Sequence, residues 1–282
     1  MEIASKAAEL SVAVCQLTSV DDYKTNEMHM FELLRQLETD PPDIVCFPEN
    51  ALYLRLNDKD QIPAIGPDSE IFHEFSRWAV QNQCVIHIGS VPLRRGDRVF
   101  NSSIVLTADG GVHDNYQKIH LFDVDVDGEK RVRESDTFAH GSEPCVFTVK
   151  GWTFGSSICY DVRFSELYLH YAKRGVDVIL VPAAFLVATG RAHWEILVRA
   201  RAIECQAYLL AAAQGGTHIG IQGSRRSTYG HSMIVDPWGE IVASCPENFQ
   251  DGDRILRAVL KREMIERVRA QIPMKNHRRL SL

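Results

Sequence analysis

Apolar residues fall along the chain in short runs, separated by stretches with helical spacing. Leu10–Leu17 is almost continuously apolar and predicts a buried strand. Tyr23–Leu37 places Met30, Leu33, Leu34 and Leu37 at intervals of three and four, the spacing of one helix face, and Asp40-Pro41-Pro42 stops it. A short apolar strand over Asp43–Phe47 follows, then a helix over Ser69–Gln81 with an acidic first turn, and a strand over Cys84–Ile88. Val99–Thr107 and Gly111–Tyr116 flank Asp109-Gly110-Gly111 and predict a hairpin. After a long loop, strands over Cys145–Val149 and Phe154–Ile158 turn at Lys150-Gly151. A helix near Ser165–Arg174 ends at Gly175, as a C-cap without a Cβ allows. A strand over Asp177–Val181 and a helix over His193–Ile203 come next. Strands are then expected over Tyr208–Ala213, Ser232–Val235, Glu240–Ala243 and Arg254–Leu260, with Pro237-Trp238-Gly239 turning between the second and third.

Helices alternate with strands and then strands run in series, which predicts an α/β fold built in layers around mixed sheets. No linker, repeat or low-complexity tract divides the 282 residues. One domain is expected, with a core over about 10–262 and a tail over 263–282.

Composition narrows the function classes. At 45% apolar and 24% charged residues, the chain can bury a sizeable core. A net charge of −6, with acids and bases interspersed, argues against a nucleic-acid or membrane footprint. No run reaches the ~20 apolar residues of a membrane span. The longest, around Val178–Ala188, contains Pro182. Two acids and a lysine precede Leu10, and no small-residue cleavage site follows Leu17, so a signal peptide is not expected. Seven widely spaced cysteines without a C-x-x-C disfavour a disulfide framework or zinc site and point to a reducing cytoplasm.

Three segments share a design in which an apolar strand delivers a reactive side chain into a turn. Glu49 follows Ile44-Val45-Cys46-Phe47-Pro48, Lys118 follows the second hairpin strand, and Cys159 follows a strand and precedes a helix. A nucleophile at a sharp strand-to-helix turn is exposed for attack, and the next amide, that of Tyr160, is placed to meet a developing oxyanion. A thiol is a strong nucleophile once deprotonated. A carboxylate can take its proton and pass it to a leaving amine. An ammonium can favour the thiolate and stabilise a tetrahedral oxyanion. This chemistry requires no metal and no cofactor. Each residue by itself also has a plain structural explanation: a core thiol, a capping carboxylate, a surface lysine.

Phe47-Pro48-Glu49, Tyr116–Asp123 and Ile158–Leu167 resemble, in order, the three signature blocks of the nitrilase, or carbon–nitrogen hydrolase, superfamily. The resemblance runs from about Leu10 to Arg278-Arg279. It implies a four-layer α-β-β-α sandwich that pairs into an αββα-αββα dimer or a larger even-numbered assembly. Glu49 becomes the general base, Lys118 the oxyanion stabiliser and Cys159 the nucleophile. Glu134 matches the second glutamate, which orients the site beside the lysine. Thr189–Glu195, Arg199–Glu204 and Tyr229–Gly239 look most like the branch that hydrolyses deaminated glutathione, with the branch hydrolysing 2-oxoglutaramate as its close relative. A small-molecule amide is thus the expected partner, with an N-carbamoyl amine or a nitrile as the alternative substrate and a partner-binding scaffold with an idle site as the alternative class. The tail over Ile272–Leu282 resembles a segment packed across the dimer interface.

Around the nucleophile, Arg163 is a candidate to grip a substrate carboxylate, or else to pair with Glu166 or Asp161. Tyr160 and Phe185 are candidates to line the pocket. Arg225 and Arg226 lie in a glycine-rich, basic loop over Gly215–Thr228 and are candidates to attract the carboxylate of a dipeptide leaving group. His120 and His193 are not spaced as a zinc pair and are expected to hydrogen-bond within the scaffold. Asp123, Asp125, Asp127, Gly128 and Glu134 match a calcium-loop pattern. The flanks lack the two helices such a loop needs, and Lys130 stands where an apolar residue is preferred, so a chance match is expected.

Overall fold

The computed structural model describes residues 7–57, 60–125, 131–246 and 253–280. In chain order these contain β1 (Glu9–Gln16), α1 (Tyr23–Leu37), β2 (Ile44–Cys46), α2 (Glu70–Asn82), β3 (Val85–Arg95), β4 (Arg98–Leu106) and β5 (Val112–Gln117). The short β6 (Asp123–Val124) and β7 (Val132–Arg133) come next, then β8 (Val146–Val149), β9 (Trp152–Ser156), α3 (Ser165–Arg174), β10 (Val178–Leu180) and α4 (Val187–Cys205). The remainder is β11 (Tyr208–Ala211), β12 (Gly215–Ile219), β13 (Arg225–Tyr229), β14 (Met233–Val235), β15 (Ile241–Ser244), β16 (Arg254–Lys261), α5 (Arg262–Gln271) and α6 (Met274–His277).

Two six-stranded sheets dominate, in the orders β16-β1-β2-β3-β4-β5 and β15-β14-β11-β10-β9-β8. Each has a parallel centre, β1-β2-β3 in one and β9-β10-β11 in the other. Antiparallel strands flank both centres. Successive side chains of a strand point to opposite faces, so each central strand must be covered twice. Leu10, Val12, Val14, Ile44 and Cys46 of the first sheet meet Phe154, Val178, Leu180, Leu210 and Ile234 of the second. The alternate residues Ala13, Cys15, Val45, Ile86 and Ile88 pack under Leu33 and Leu34 of α1 and Phe72 and Phe75 of α2. On the far side, Ile179, Leu209 and Ala211 pack under Tyr168 and Tyr171 of α3 and Trp194 and Val198 of α4. The result is a helix–sheet–sheet–helix sandwich.

The strand and helix pattern differs from the sequence reading in several places, among them the expected long loop before Cys145, which carries the short β6–β7 pair. β3 continues to Arg95 across a register shift between Ile88 and Val91, where Gly89 allows a close approach between sheets. The helix expected from His193 begins at Val187, with Gly190 packed against the Tyr229 side chain. The basic loop over 215–228 is a two-stranded hairpin, β12–β13. Its buried His218 bonds through Nδ1 to the Ser19 carbonyl and through Nε2 to Thr228 Oγ1, each at 2.7 Å. Last, α5 follows the final strand directly, burying Ile265 and Val268.

Gly89 sits where the chain leading to Glu49 crosses the second sheet. A Cβ there would stand 2.2 Å from the Phe47 carbonyl oxygen and 2.3 Å from Pro182 Cβ. Neither is the end of a flexible side chain, so the neighbouring Phe47 backbone and the Pro182 segment of the second sheet must both give way. Gly89→Ala is expected to cost about 2–3 kcal/mol, read as a fall of roughly 5–10 °C in a thermal melt. An unchanged melting temperature would show that the sheets yield there without cost.

Candidate active site

The sequence-predicted residues converge at one rim of the sandwich. Glu49 lies three residues beyond β2, Lys118 one residue beyond β5, and Cys159 three beyond β9. Ligand sites in such sheets gather where parallel strands end. Both Cys159 (φ +48°) and Asn50 (φ +56°), the residue after Glu49, adopt left-handed backbone. This conformation costs a non-glycine residue roughly 1–2 kcal/mol, so the surroundings must hold it. The Cys159 N–H donates to the Pro182 carbonyl at 2.8 Å, and the Asn50 N–H to Ser90 Oγ at 2.9 Å.

Lys118 is the centre of the charge cluster. Its side chain is buried, and Nζ donates at 2.8 Å to Glu49 Oε1 and at 2.8 Å to Glu134 Oε2. Burial alone would lower the lysine pKa, but the carboxylates of Glu134 and Glu49 reverse this and hold it well above the ordinary 10.5. A residue that sequence reasoning missed completes the cluster. Asn101, on β4 and buried, donates through Nδ2 to Glu49 Oε1 at 3.0 Å and to Glu134 Oε1 at 2.9 Å. The visible signal was the polar run Asn101-Ser102-Ser103 within an otherwise apolar strand.

The Cys159 thiol is pushed up, first by burial and then by the Glu49 carboxylate to which it hydrogen-bonds, while Lys118 and an N–H from Ala184 pull the other way. The resting group is therefore a thiol with a base in contact, not a free thiolate. Asp161 braces this arrangement. Its buried carboxylate accepts from Ile158 N (2.9 Å), Tyr116 OH (2.8 Å) and His120 N (3.0 Å), and pairs with His120 Nδ1 (2.7 Å). One side chain thus ties the nucleophile turn to both sides of Lys118.

Glu49, Lys118, Glu134 and Cys159 open into a cavity of about 420 Å³. Apolar walls come from Leu54, Phe122, Phe138 and Leu186, and cationic ones from Arg55, Arg131, Arg225 and Arg226. Arg55 donates to Thr137 Oγ1, and no ion pair among the described residues ties these four arginines to an acid.

Arg163, Tyr160 and Phe185 are not among the residues that line this cavity. They pack on one another beside it: the Arg163 guanidinium lies 5.2 Å from the Phe185 ring centroid and 5.9 Å from that of Tyr160. Phe185 rests on Trp194 of α4, and Tyr160 stands edge-on to Phe122, which does line the cavity. Arg163 bonds His193 Nδ1 at 3.3 Å rather than Glu166 or Asp161. In the calcium-like segment, Asp123 starts β6 and accepts the Ser135 N–H at 3.0 Å, while Glu134 is taken by Lys118 and Asn101. Asp127, Gly128 and Lys130 of that pattern lie outside the described residues.

An αββα sandwich with a thiol, two carboxylates and an ammonium converging at its rim has the composition of an amide-hydrolysing site. The chain belongs to the carbon–nitrogen hydrolase family, whose model matches residues 11–270, and it is an amidase-type hydrolase of carbon–nitrogen bonds. It is 36% identical to the deaminated glutathione amidase of Rattus norvegicus, over 96% of this chain and 83% of the relative. It is also 36% identical to the nitrilase and fragile histidine triad fusion protein NitFhit of Caenorhabditis elegans, over 96% of this chain but 61% of that longer protein. The crystal structure of Saccharomyces cerevisiae Nit3, a member of branch 10 of the nitrilase superfamily, superposes with a TM-score of 0.82 at 29% identity, covering 97% of this chain and 98% of Nit3. No helix among the described residues is long and apolar enough to cross a membrane.

Removing the cation tests the charge cluster. Lys118→Met leaves two carboxylates in one buried site and is expected to cost about 3–5 kcal/mol at neutral pH. The stabilisation from a raised lysine pKa is whole below 10.5 and fades only as pH climbs past it through the folded value. The variant's deficit in urea denaturation should therefore be constant from about pH 7 to 10 and shrink only as pH climbs beyond that range. A deficit that grows toward low pH would contradict this electrostatic account.

Proposed function

We propose that this chain hydrolyses a linear amide carrying carboxylates at both ends, deaminated glutathione in preference to 2-oxoglutaramate. The observation that carries the reading is the cavity itself: the thiol–carboxylate–ammonium cluster at its floor and four arginines on its walls. Arginine forks match carboxylates, and a concave wall with four cations that make no ion pair to an acid among the described residues favours an anionic ligand. The naming of similar proteins as deaminated glutathione amidases supports the same choice.

In this reading Glu49 takes the Cys159 proton as sulfur bonds to the amide carbon. The Lys118 ammonium and the Tyr160 N–H hold the resulting oxyanion. Glu134 keeps Lys118 in place. As the tetrahedral intermediate collapses, the carbon–nitrogen bond breaks and Glu49 gives its proton to the leaving amine. A thioester remains. Water then loses a proton to Glu49 and attacks the thioester carbon, and the departing sulfur recovers that proton. The products are 2-oxoglutarate and cysteinylglycine. Removing a by-product of transaminases acting on glutathione would be the cellular role, in the cytoplasm that the cysteine usage favours. Exposed Ile196 and Ile203 on α4 and exposed Trp238, next in sequence to the Gly239 that packs on Ile203, support pairing with a second copy.

Release of 2-oxoglutarate from the two amides decides the substrate. The peptide-bearing amide should react with the higher kcat/KM, and Cys159→Ala should abolish both activities. Turnover of neither amide by the intact chain would remove this substrate assignment. Arg225→Ala should raise KM for deaminated glutathione about tenfold, the loss of roughly one charged hydrogen bond. It should leave KM for 2-oxoglutaramate within about twofold, since that substrate has no second carboxylate to lose. Equal effects on both would assign Arg225 to the end they share.

A further inference from the structure

Neither signature blocks nor charge singled out Asn101, yet its side chain touches both glutamates of the cluster. Nδ2 carries two hydrogens, and each goes to a different carboxylate, Glu49 Oε1 at 3.0 Å and Glu134 Oε1 at 2.9 Å. The amide orientation follows from chemistry: turned over, its oxygen would face two carboxylates. The backbone carbonyl of the same residue accepts the Lys118 N–H at 2.9 Å. Asn101 is 1% exposed, and its own Oδ1 is buried without a hydrogen-bond partner. The fold leaves one buried acceptor unsatisfied while both donors of that amide are used.

A carboxylate oxygen has two lone pairs. On Glu49, Oε1 already receives Asn101 and Lys118, so the thiol of Cys159 is left to Oε2. We infer that Asn101 is a positioning residue: its amide bridges Glu49 and Glu134, occupies the inner oxygen of Glu49, and so presents the outer oxygen to Cys159 as the base. An amide suits the task because it is neutral and offers two donors from one atom. The titratable groups around Glu49 are Lys118, Glu134 and Cys159, and a further charge at position 101 would disturb all three. This inference rests on the reading of Glu49 as the base.

The test is Asn101→Ala beside Asn101→Asp, with folding checked by near-ultraviolet circular dichroism. For Asn101→Ala, kcat is expected to fall about 10- to 100-fold, as for other lost orienting contacts, while KM moves less than about threefold. The acid limb of kcat/KM should move to higher pH, because a carboxylate that loses a donor keeps its proton more readily. Alkylation of Cys159 by iodoacetamide at neutral pH, which needs no substrate, should slow in parallel. Asn101→Asp should be worse on every readout, since it turns two donors into acceptors facing carboxylates. A merely structural asparagine would lower the melting temperature and leave the pH limb and alkylation rate alone, and that result would overturn the inference. Should Asn101→Ala not fold, Asn101→Ser, which keeps one donor, decides: a kcat down at least about fivefold supports the inference, and wild-type kcat with wild-type alkylation overturns it. Glu49→Gln separates the two levels. If it stays active, the reading of Glu49 fails. If it is inactive while Asn101→Ala behaves as wild type, only the role of Asn101 fails.

Discussion

A lysine ammonium removed from water and left alone would cost several kcal/mol, and Lys118 is 2% exposed. Its burial is tolerable only where carboxylates meet it, and this one constraint organises the rim of the sandwich. Glu49 must arrive from the end of β2, Glu134 from the turn after β7, and Lys118 from the end of β5, all within hydrogen-bond distance of one nitrogen. Two carboxylates close to one cation would themselves repel. Asn101 separates and satisfies them from β4 without adding charge. The cluster is therefore both a piece of the core and the charged end of the cavity.

Holding a strained nucleophile beside that cluster requires the two sheets to keep a fixed offset. Cross-sheet contacts provide it. Gln214, at the end of the β11 segment, donates to the Glu49 carbonyl at 3.0 Å and to Ser19 Oγ at 2.8 Å. Gln16 of β1 accepts the Ser232 N–H at 3.0 Å. Asp161 links the turn after β9 to the segment after β5. Backbone in a left-handed conformation at Cys159 persists because these contacts over-determine it. Packing, hydrogen bonding and chemistry are here one network, and a change that slides one sheet over the other would be felt first at the thiol.

The same sandwich serves many amides across its family, so specificity has to come from the walls. In this chain the walls are partly apolar and partly cationic. Two of the arginines ride on the β12–β13 hairpin, which is fastened by buried His218 to the Ser19 carbonyl and by the Ile221 N–H to Asp21. Burial pulls the His218 pKa down to about 4, so the ring stays neutral at physiological pH and can act as donor through one nitrogen and acceptor through the other. The hairpin holds Arg225 and Arg226 at the cavity wall.

Local sequence was sufficient for much of this molecule. Apolar runs and helical spacing placed α1, α3, β1, β2 and β10 within a residue or two, because buried strands and amphipathic faces leave a periodic trace. Glu49, Lys118, Cys159 and Glu134 were singled out through motif resemblance, and the structure brings all four together at one cavity. The hairpin over 215–229 was not, since glycines and basic residues carry no apolar alternation and its pairing is satisfied through His218, a residue with no local signal. Nor was Asn101, whose importance lies in contacts to residues 52 and 33 positions away. Tyr160, Arg163 and Phe185 were placed near the nucleophile by sequence, and they are near it. Only the tertiary structure decided that they pack together beside the cavity while Arg55, Arg131, Arg225 and Arg226 line it. Chain proximity sets distance to the nucleophile, but the direction a side chain takes is set by how the sheets and turns close around it.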